Sequence, residues 1–112
     1  MYRVIAYNRA TTVADGDVAL DRNFEVDAAT GSRVELFAVE SSSSPGGFVY
    51  GFQYSDPEEG ERILRYDNAH DSDVGPHHRH IGDEIEGIEF HGLQDHVTRF
   101  REEVLETHER RH

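Results

Sequence analysis

The 112-residue sequence contains no cysteine, no lysine and no tryptophan. The absence of cysteine excludes disulfides, thiolate metal ligands and a thiol nucleophile, and it fits a cytoplasmic protein. The sequence also has no apolar run of about 18 residues and no basic, apolar leader. It therefore predicts neither a membrane span nor a signal peptide.

The charge balance is strongly negative, since 23 acidic residues face 11 basic ones, all of them arginine, for a net charge of −12. Such a surface disfavours nonspecific contact with nucleic acid. An acidic, lysine-free composition is also typical of proteins from a high-salt cytoplasm, where the Debye length falls to roughly 3 Å. The composition predicts a halophilic protein and does not exclude an RNA substrate.

The length predicts one domain spanning residues 1–112. Short β-prone segments, separated by turn-forming residues, occupy positions 2–7, 18–26, 33–39, 48–54, 61–67 and 84–90. Past Gly92 the apolar period becomes helical. The predicted fold is therefore α+β: an antiparallel sheet of about five or six strands, covered on one face by an amphipathic C-terminal helix near 93–109.

The helix prediction depends on a stripe formed by Leu93, Val97, Phe100 and Val104. This stripe is expected to pack against the sheet. The histidines in this region, His96, His108 and the terminal His112, are predicted to be ordinary surface residues.

Side chains that can take part in acid–base chemistry or metal binding are concentrated between positions 65 and 80. Half of the eight histidines lie there, at His70, His77, His78 and His80. Imidazole can both take and give a proton near neutrality, so the cluster indicates acid–base chemistry or a metal site. A solvated polar loop is the plain alternative. If residues 77–80 are extended, His78 and His80 point to one side and the intervening side chains to the other.

One hypothesis is metal-independent cleavage of RNA, which needs a base, an acid and a cation beside the phosphorane. His78 and His80 would transfer the protons, and Asp67 would orient an imidazole. Arg65 or Arg79 would supply the cation, because guanidinium is suited to bidentate contact with phosphate. Tyr66 would stack on a base or share in proton transfer.

The other hypothesis is a divalent metal site. His78 and His80, joined by His70 or Asp67, would form a nitrogen and oxygen ligand set suited to zinc, nickel or iron. The residues alone leave these two hypotheses equally open.

Two segments of the chain together resemble the TumE toxin family of prokaryotic type II toxin–antitoxin systems. They are Arg-Tyr-Asp-Asn-Ala at 65–69 and Pro-His-His-Arg-His at 76–80, followed by a C-terminal helix opened by a short leucine-containing turn. The resemblance covers residues 48–107. It implies a small β-rich toxin that acts on RNA and is neutralised by an antitoxin with a DNA-binding domain, encoded by the adjacent gene.

The resemblance favours the metal-free ribonuclease, with no cofactor, over the metal site. The expected catalytic residues are His78, His80, Arg79, Tyr66 and Asp67, and the expected substrate-binding residues are Arg65, Asn68, His77 and His70. The expected partners are a cognate antitoxin and RNA, with no membrane. The sequence is compatible with a homo-oligomer and does not fix the oligomeric state.

Overall fold

The structure is a computed structural model that describes residues 15–58, 61–68 and 74–112. The strands are β1 (Val18–Asp27), β2 (Ser32–Glu40), β3 (Phe48–Asp56), β4 (Glu61–Asp67), β5 (His78–Ile81) and β6 (Glu84–Gly87), and the helix α1 spans Leu93–Arg111. A short 3-10 turn at Pro45–Gly47 precedes β3. The strand predicted at 2–7 lies outside the described residues.

The described strands form one six-stranded sheet in the order β1-β2-β3-β4-β5-β6, with every neighbouring pair antiparallel. Local turn chemistry supports three of the five connections between neighbouring strands. Asp27 and Asp56 each accept a backbone N–H two residues on, and Gly82 supplies a φ of +58° between β5 and β6. The predicted α+β fold, with its antiparallel sheet and C-terminal helix, is confirmed.

The helix α1 packs on one face of the sheet through aromatic contacts. The Phe100 ring lies with its centroid 5.6 Å from that of Phe52 and 4.9 Å from that of Tyr66, in edge-on geometry. The core under the helix is completed by Val34, Leu36, Ala38, Tyr50, Tyr54, Leu64 and Val104. The predicted stripe of α1 thus faces the core.

Alternation along β4 divides its side chains between the two faces of the sheet. Leu64 and Tyr66 lie under the helix, in the core. Arg65 and Asp67 therefore lie on the opposite face, which we call the far face. Both are nevertheless 6% exposed. The sequence did not settle which face of β4 is buried, and the position of α1 decides it.

The predicted surface location of His96 and His108 is wrong. His96 is 2% exposed and lies 2.9 Å from the Tyr50 hydroxyl. His108 bridges the Tyr54 hydroxyl at 2.7 Å and the Asp27 carboxylate at 3.1 Å. Tyrosines stand under the helix with hydroxyls that need partners, so imidazoles on the buried side of α1 satisfy polar groups that leucine would leave unpaired.

Two further details differ from expectation near the ends of elements. The terminal His112, predicted to be a plain surface residue, lies 2.9 Å from the buried Asp56 carboxylate. The last strand, predicted to reach residue 90, ends at Gly87, and beyond it the Ile88 N–H donates to the His77 carbonyl oxygen at 3.0 Å.

Candidate functional site

The pairing of β4 with β5 assembles the candidate site. Asp67 stands opposite His78, and Arg65 stands opposite His80. Side chains at paired positions of antiparallel strands lie on the same face of the sheet. These four residues, which we call the Asp67 cluster, therefore meet on the far face.

The Asp67 carboxylate is the centre of the cluster. Its Oδ2 accepts a 2.6 Å hydrogen bond from Arg65 Nε, while its Oδ1 lies 3.2 Å from His78 Nδ1 and 3.4 Å from His80 Nε2. Burial by itself raises the pKa of Asp67, but the Arg65 guanidinium together with His80 and His78 outweighs burial, and the pKa lies below its ordinary value. The group is therefore a carboxylate at neutral pH.

The two imidazoles differ in their access to solvent. The His78 side chain is 4% exposed, whereas that of His80 is 30% exposed. The ring centroids are 6.1 Å apart with planes at 83°. His80 is thus the group through which a substrate in solution can reach the cluster.

The His78 ring is held from its other side by the loop before β5. His78 Nε2 donates to the Gly75 carbonyl oxygen at 2.6 Å. This loop packs closely on β6, since a Cβ added at Gly87 would stand 2.0 Å from the Val74 carbonyl oxygen. Gly87 therefore permits the approach that brings the Gly75 carbonyl to His78.

A chain of polar side chains extends the cluster across the sheet. Arg65 Nη1 donates to Gln53 Oε1 at 3.1 Å, and Gln53 Nε2 donates to Glu35 Oε1 at 3.3 Å. These residues come from β4, β3 and β2. Sequence reasoning missed Gln53, although its opposition to Arg65 follows from the register of the β3–β4 hairpin.

Tyr66 and Arg79 are paired on the helix face of the sheet, away from the Asp67 cluster. The Tyr66 hydroxyl donates to Glu103 on α1, and Arg79 binds the same carboxylate through Nε and Nη2. Arg79 Nη1 also donates to Glu86 at 2.9 Å. The hydrogen bond to Glu103 raises the pKa of Arg79, and burial raises that of the Tyr66 hydroxyl. No feature of the sequence identified Glu103 as their common partner.

His77 belongs to a third group of side chains, apart from His78 and His80. Its Nδ1 lies 2.9 Å from the Tyr50 hydroxyl, and its ring stacks on Phe90 with centroids 4.7 Å apart. The same hydroxyl meets His96, so one imidazole accepts its proton and the other donates to it. Burial lowers the pKa of His96 to about 4, so His96 is neutral here.

The side-chain amide of Asn68 hydrogen-bonds with backbone groups. Its amide nitrogen donates to the carbonyls of Phe48 at 2.6 Å and Pro45 at 3.4 Å, and its oxygen accepts from the Tyr50 N–H at 3.1 Å. Asn68 thus fastens the end of β4 to the start of β3. The remaining sequence candidate, His70, lies outside the described residues.

Three groups of the Asp67 cluster have the geometry to hold a metal ion. One donor atom each from Asp67, His78 and His80 lie within 4.8 Å of one another.

Among the described residues, no helix has the length and apolar character needed to cross a membrane.

Comparison with known proteins gives one match. A family model described as Toxin TumE matches residues 2–108. No curated protein and no solved structure matches the chain. The match extends the resemblance seen in residues 48–107 to nearly the whole chain. The chain therefore belongs to the TumE toxin family.

Proposed function

We propose that this chain is a toxin that cleaves RNA by metal-independent acid–base catalysis at the Asp67 cluster. The observation that supports it is the sharing of one carboxylate oxygen, Asp67 Oδ1, by two imidazoles, one buried and one open to solvent. A pair of histidines held by one carboxylate provides a base and an acid within reach of the same phosphodiester.

In the proposed reaction His80 is the general base, because its ring is the more accessible one. It takes the proton of a ribose 2′-hydroxyl, and the 2′-oxygen attacks the adjacent phosphorus. The bond from phosphorus to the 5′-oxygen then breaks, leaving a 2′,3′-cyclic phosphate. The departing 5′-oxygen takes a proton from the general acid.

His78 suits the role of acid because both of its ring nitrogens face oxygen acceptors. Nε2 points at the Gly75 carbonyl and Nδ1 at the Asp67 carboxylate. Only the doubly protonated imidazolium can donate in both directions. We propose that His78 is doubly protonated when it acts as the acid.

Arg65 shares the far face with the histidines and contacts the Asp67 carboxylate directly, and we propose that it supplies positive charge near the phosphorane. Arg79 and Tyr66 are engaged by Glu103 on the helix face. We propose that they act by holding α1 on the sheet, and that Asn68 and His77 act by holding the ends of β4 and β5. In this proposal these four position the site and do not touch RNA.

We further propose that the toxin acts in the cytoplasm and is neutralised by a cognate antitoxin. Family membership supports the pairing. Expression without the adjacent gene should arrest growth, and co-expression should restore it. An adjacent gene that gives no rescue, or expression that leaves growth unchanged, would contradict the pairing.

The catalytic proposal is tested by incubating purified, untagged protein with labelled RNA in EDTA. Cleavage should persist, and His80→Ala should reduce its rate by about 10²- to 10⁴-fold. His91→Ala is the matched control, since His91 is an exposed histidine that also pairs with a carboxylate, that of Glu89 at 2.8 Å. Absence of cleavage by the unaltered protein, or equal rates for the two variants, would overturn the proposal.

A further inference from the structure

We propose that Asp67, His78 and His80 also form a binding site for one divalent first-row transition metal ion, with Zn²⁺ as the representative probe. This inference does not depend on the ribonuclease proposal, because it concerns binding alone.

The donor atoms already stand at separations close to those of a coordination sphere. Asp67 Oδ1 is 3.2 Å from His78 Nδ1 and 3.4 Å from His80 Nε2. Zinc bonds of about 2.1 Å in a tetrahedron place neighbouring ligand atoms about 3.4 Å apart. All three donors lie within 4.8 Å of one another, so closing the sphere needs only a small rotation of a side chain.

The hydrogen bond on the far side of His78 fixes where its lone pair points. A carbonyl oxygen can only accept, so His78 Nε2 carries a proton towards Gly75. In the neutral ring Nδ1 then carries a lone pair, which is directed at the anionic Asp67 oxygen 3.2 Å away. A cation between the two atoms turns this repulsion into two favourable bonds.

Two of the three ligands are hydrogen-bonded by groups of the kind that usually support metal ligands. A metal-bound histidine usually donates its other N–H to a carbonyl or a carboxylate, as His78 does to Gly75. A metal-bound carboxylate is usually hydrogen-bonded on its free oxygen, as Asp67 Oδ2 is by Arg65 at 2.6 Å. Both supports keep the donor atoms in place without the ion.

The ligand set selects the class of metal. Two imidazole nitrogens and one carboxylate oxygen suit zinc, iron, cobalt or nickel. Magnesium and calcium prefer oxygen ligands and are not expected to bind. The partly exposed His80 leaves a route for the ion and room for a water ligand.

The site has a consequence for the proposed reaction. A bound metal occupies His80 Nε2, so the ring proton moves to Nδ1, and that nitrogen can no longer take the 2′-hydroxyl proton. The metal also takes the place of the acidic proton on His78 Nδ1. Zn²⁺ should therefore inhibit a metal-free ribonuclease built on these residues.

The test is isothermal titration of EDTA-stripped, untagged protein with Zn²⁺, without RNA. One ion per chain should bind, and the melting temperature should rise with Zn²⁺ concentration. His80→Ala should weaken binding at least about 10-fold, since a ligand should matter no less than the groups behind it. His91→Ala should bind as the unaltered protein does, and Mg²⁺ should not bind.

No binding of Zn²⁺, or equal binding by the His80→Ala variant, would overturn the metal site. Equal affinity for Mg²⁺ would overturn its class. RNA assays separate the two proposals: if cleavage requires Zn²⁺, metal independence fails and the site stands. If Zn²⁺ binds and no RNA is cleaved under any condition, the ribonuclease fails and the metal site stands.

Discussion

Arg65 and Asp67 are two residues apart on β4 and form an ion pair of 2.6 Å between Nε and Oδ2, with side chains that are only 8% and 9% exposed. Alternation places both on the same face of the sheet, so the pair is local in sequence. The tertiary structure adds the histidines from β5 and buries the pair. Asp67 thus contacts Arg65 through Oδ2 and both imidazoles through Oδ1.

Removing the cation of this pair should destabilise the fold. Arg65→Met leaves a buried carboxylate without its guanidinium and is expected to cost about 3 kcal/mol in the free energy of unfolding, measured with urea. Arg33→Met is the control, because the exposed Arg33 lies 3.9 Å from Glu25 and should contribute about 0.5 kcal/mol or less. Equal losses would show that the Arg65–Asp67 pair does not stabilise the fold.

Adding a side chain at Gly87 should disturb the Asp67 cluster, although Gly87 is not a member of it. The Cβ of Gly87→Ala would meet the Val74 carbonyl oxygen at 2.0 Å, so the loop must move and the Gly75 carbonyl must leave His78. We expect a stability loss of about 1–3 kcal/mol and weaker Zn²⁺ binding. Glu84→Ala, at an exposed position of the same strand, should change neither quantity. If Gly87→Ala binds Zn²⁺ as tightly as the unaltered protein, the loop that carries Gly75 does not contribute to the metal site.

The network on the helix face predicts a structural role for Arg79. Glu103→Gln removes the negative charge that Arg79 and Tyr66 share, and it should destabilise the protein by about 2 kcal/mol. Glu102→Gln, on the exposed side of α1, should have little effect. RNA cleavage per folded molecule should not change in Arg79→Lys. A large fall in that rate without a loss of stability would instead make Arg79 catalytic.

Burial of His96 predicts a dependence of stability on pH. Its pKa falls from about 6.5 when unfolded to about 4 in the fold, because burial opposes the charged form. The unfolded chain therefore binds the proton first, so this contribution is complete above pH 6.5 and is lost as the pH falls towards 4. The loss is about 3 kcal/mol at most. Between about pH 7 and about pH 4, a range that spans the two pKa values, His96→Phe should reduce the change in unfolding free energy with pH. An unchanged slope would show that His96 does not cause this pH dependence.

The acidic composition predicts a protein adapted to salt. With a net charge of −12, repulsion between surface carboxylates should weaken the fold at low ionic strength. Raising KCl from about 0.1 M to about 1 M shortens the Debye length from about 10 Å to about 3 Å and should raise the melting temperature. A melting temperature that stays constant or falls with salt would contradict halophilic adaptation.

The sequence by itself indicated the α+β class, β1 to β4, the C-terminal helix and which side chains of β4 share a face, whereas β5 was only a conditional expectation. The turn at Asp56 and the apolar period after Gly92 place a hairpin and a helix, because these features depend on neighbours a few residues away. The alternation in β4 separates Arg65 and Asp67 from Leu64 and Tyr66 by the same local rule. The two short motifs indicated the toxin family to which the chain belongs.

Only the tertiary structure decided which of the polar residues meet. His78 joins Asp67 because the register of β4 with β5 places them opposite each other. His96 looked like a surface residue because its need for a partner is met by Tyr50, which lies 46 positions away along the chain. Burial and partnership between distant segments are products of packing, and no local pattern of residues encodes them.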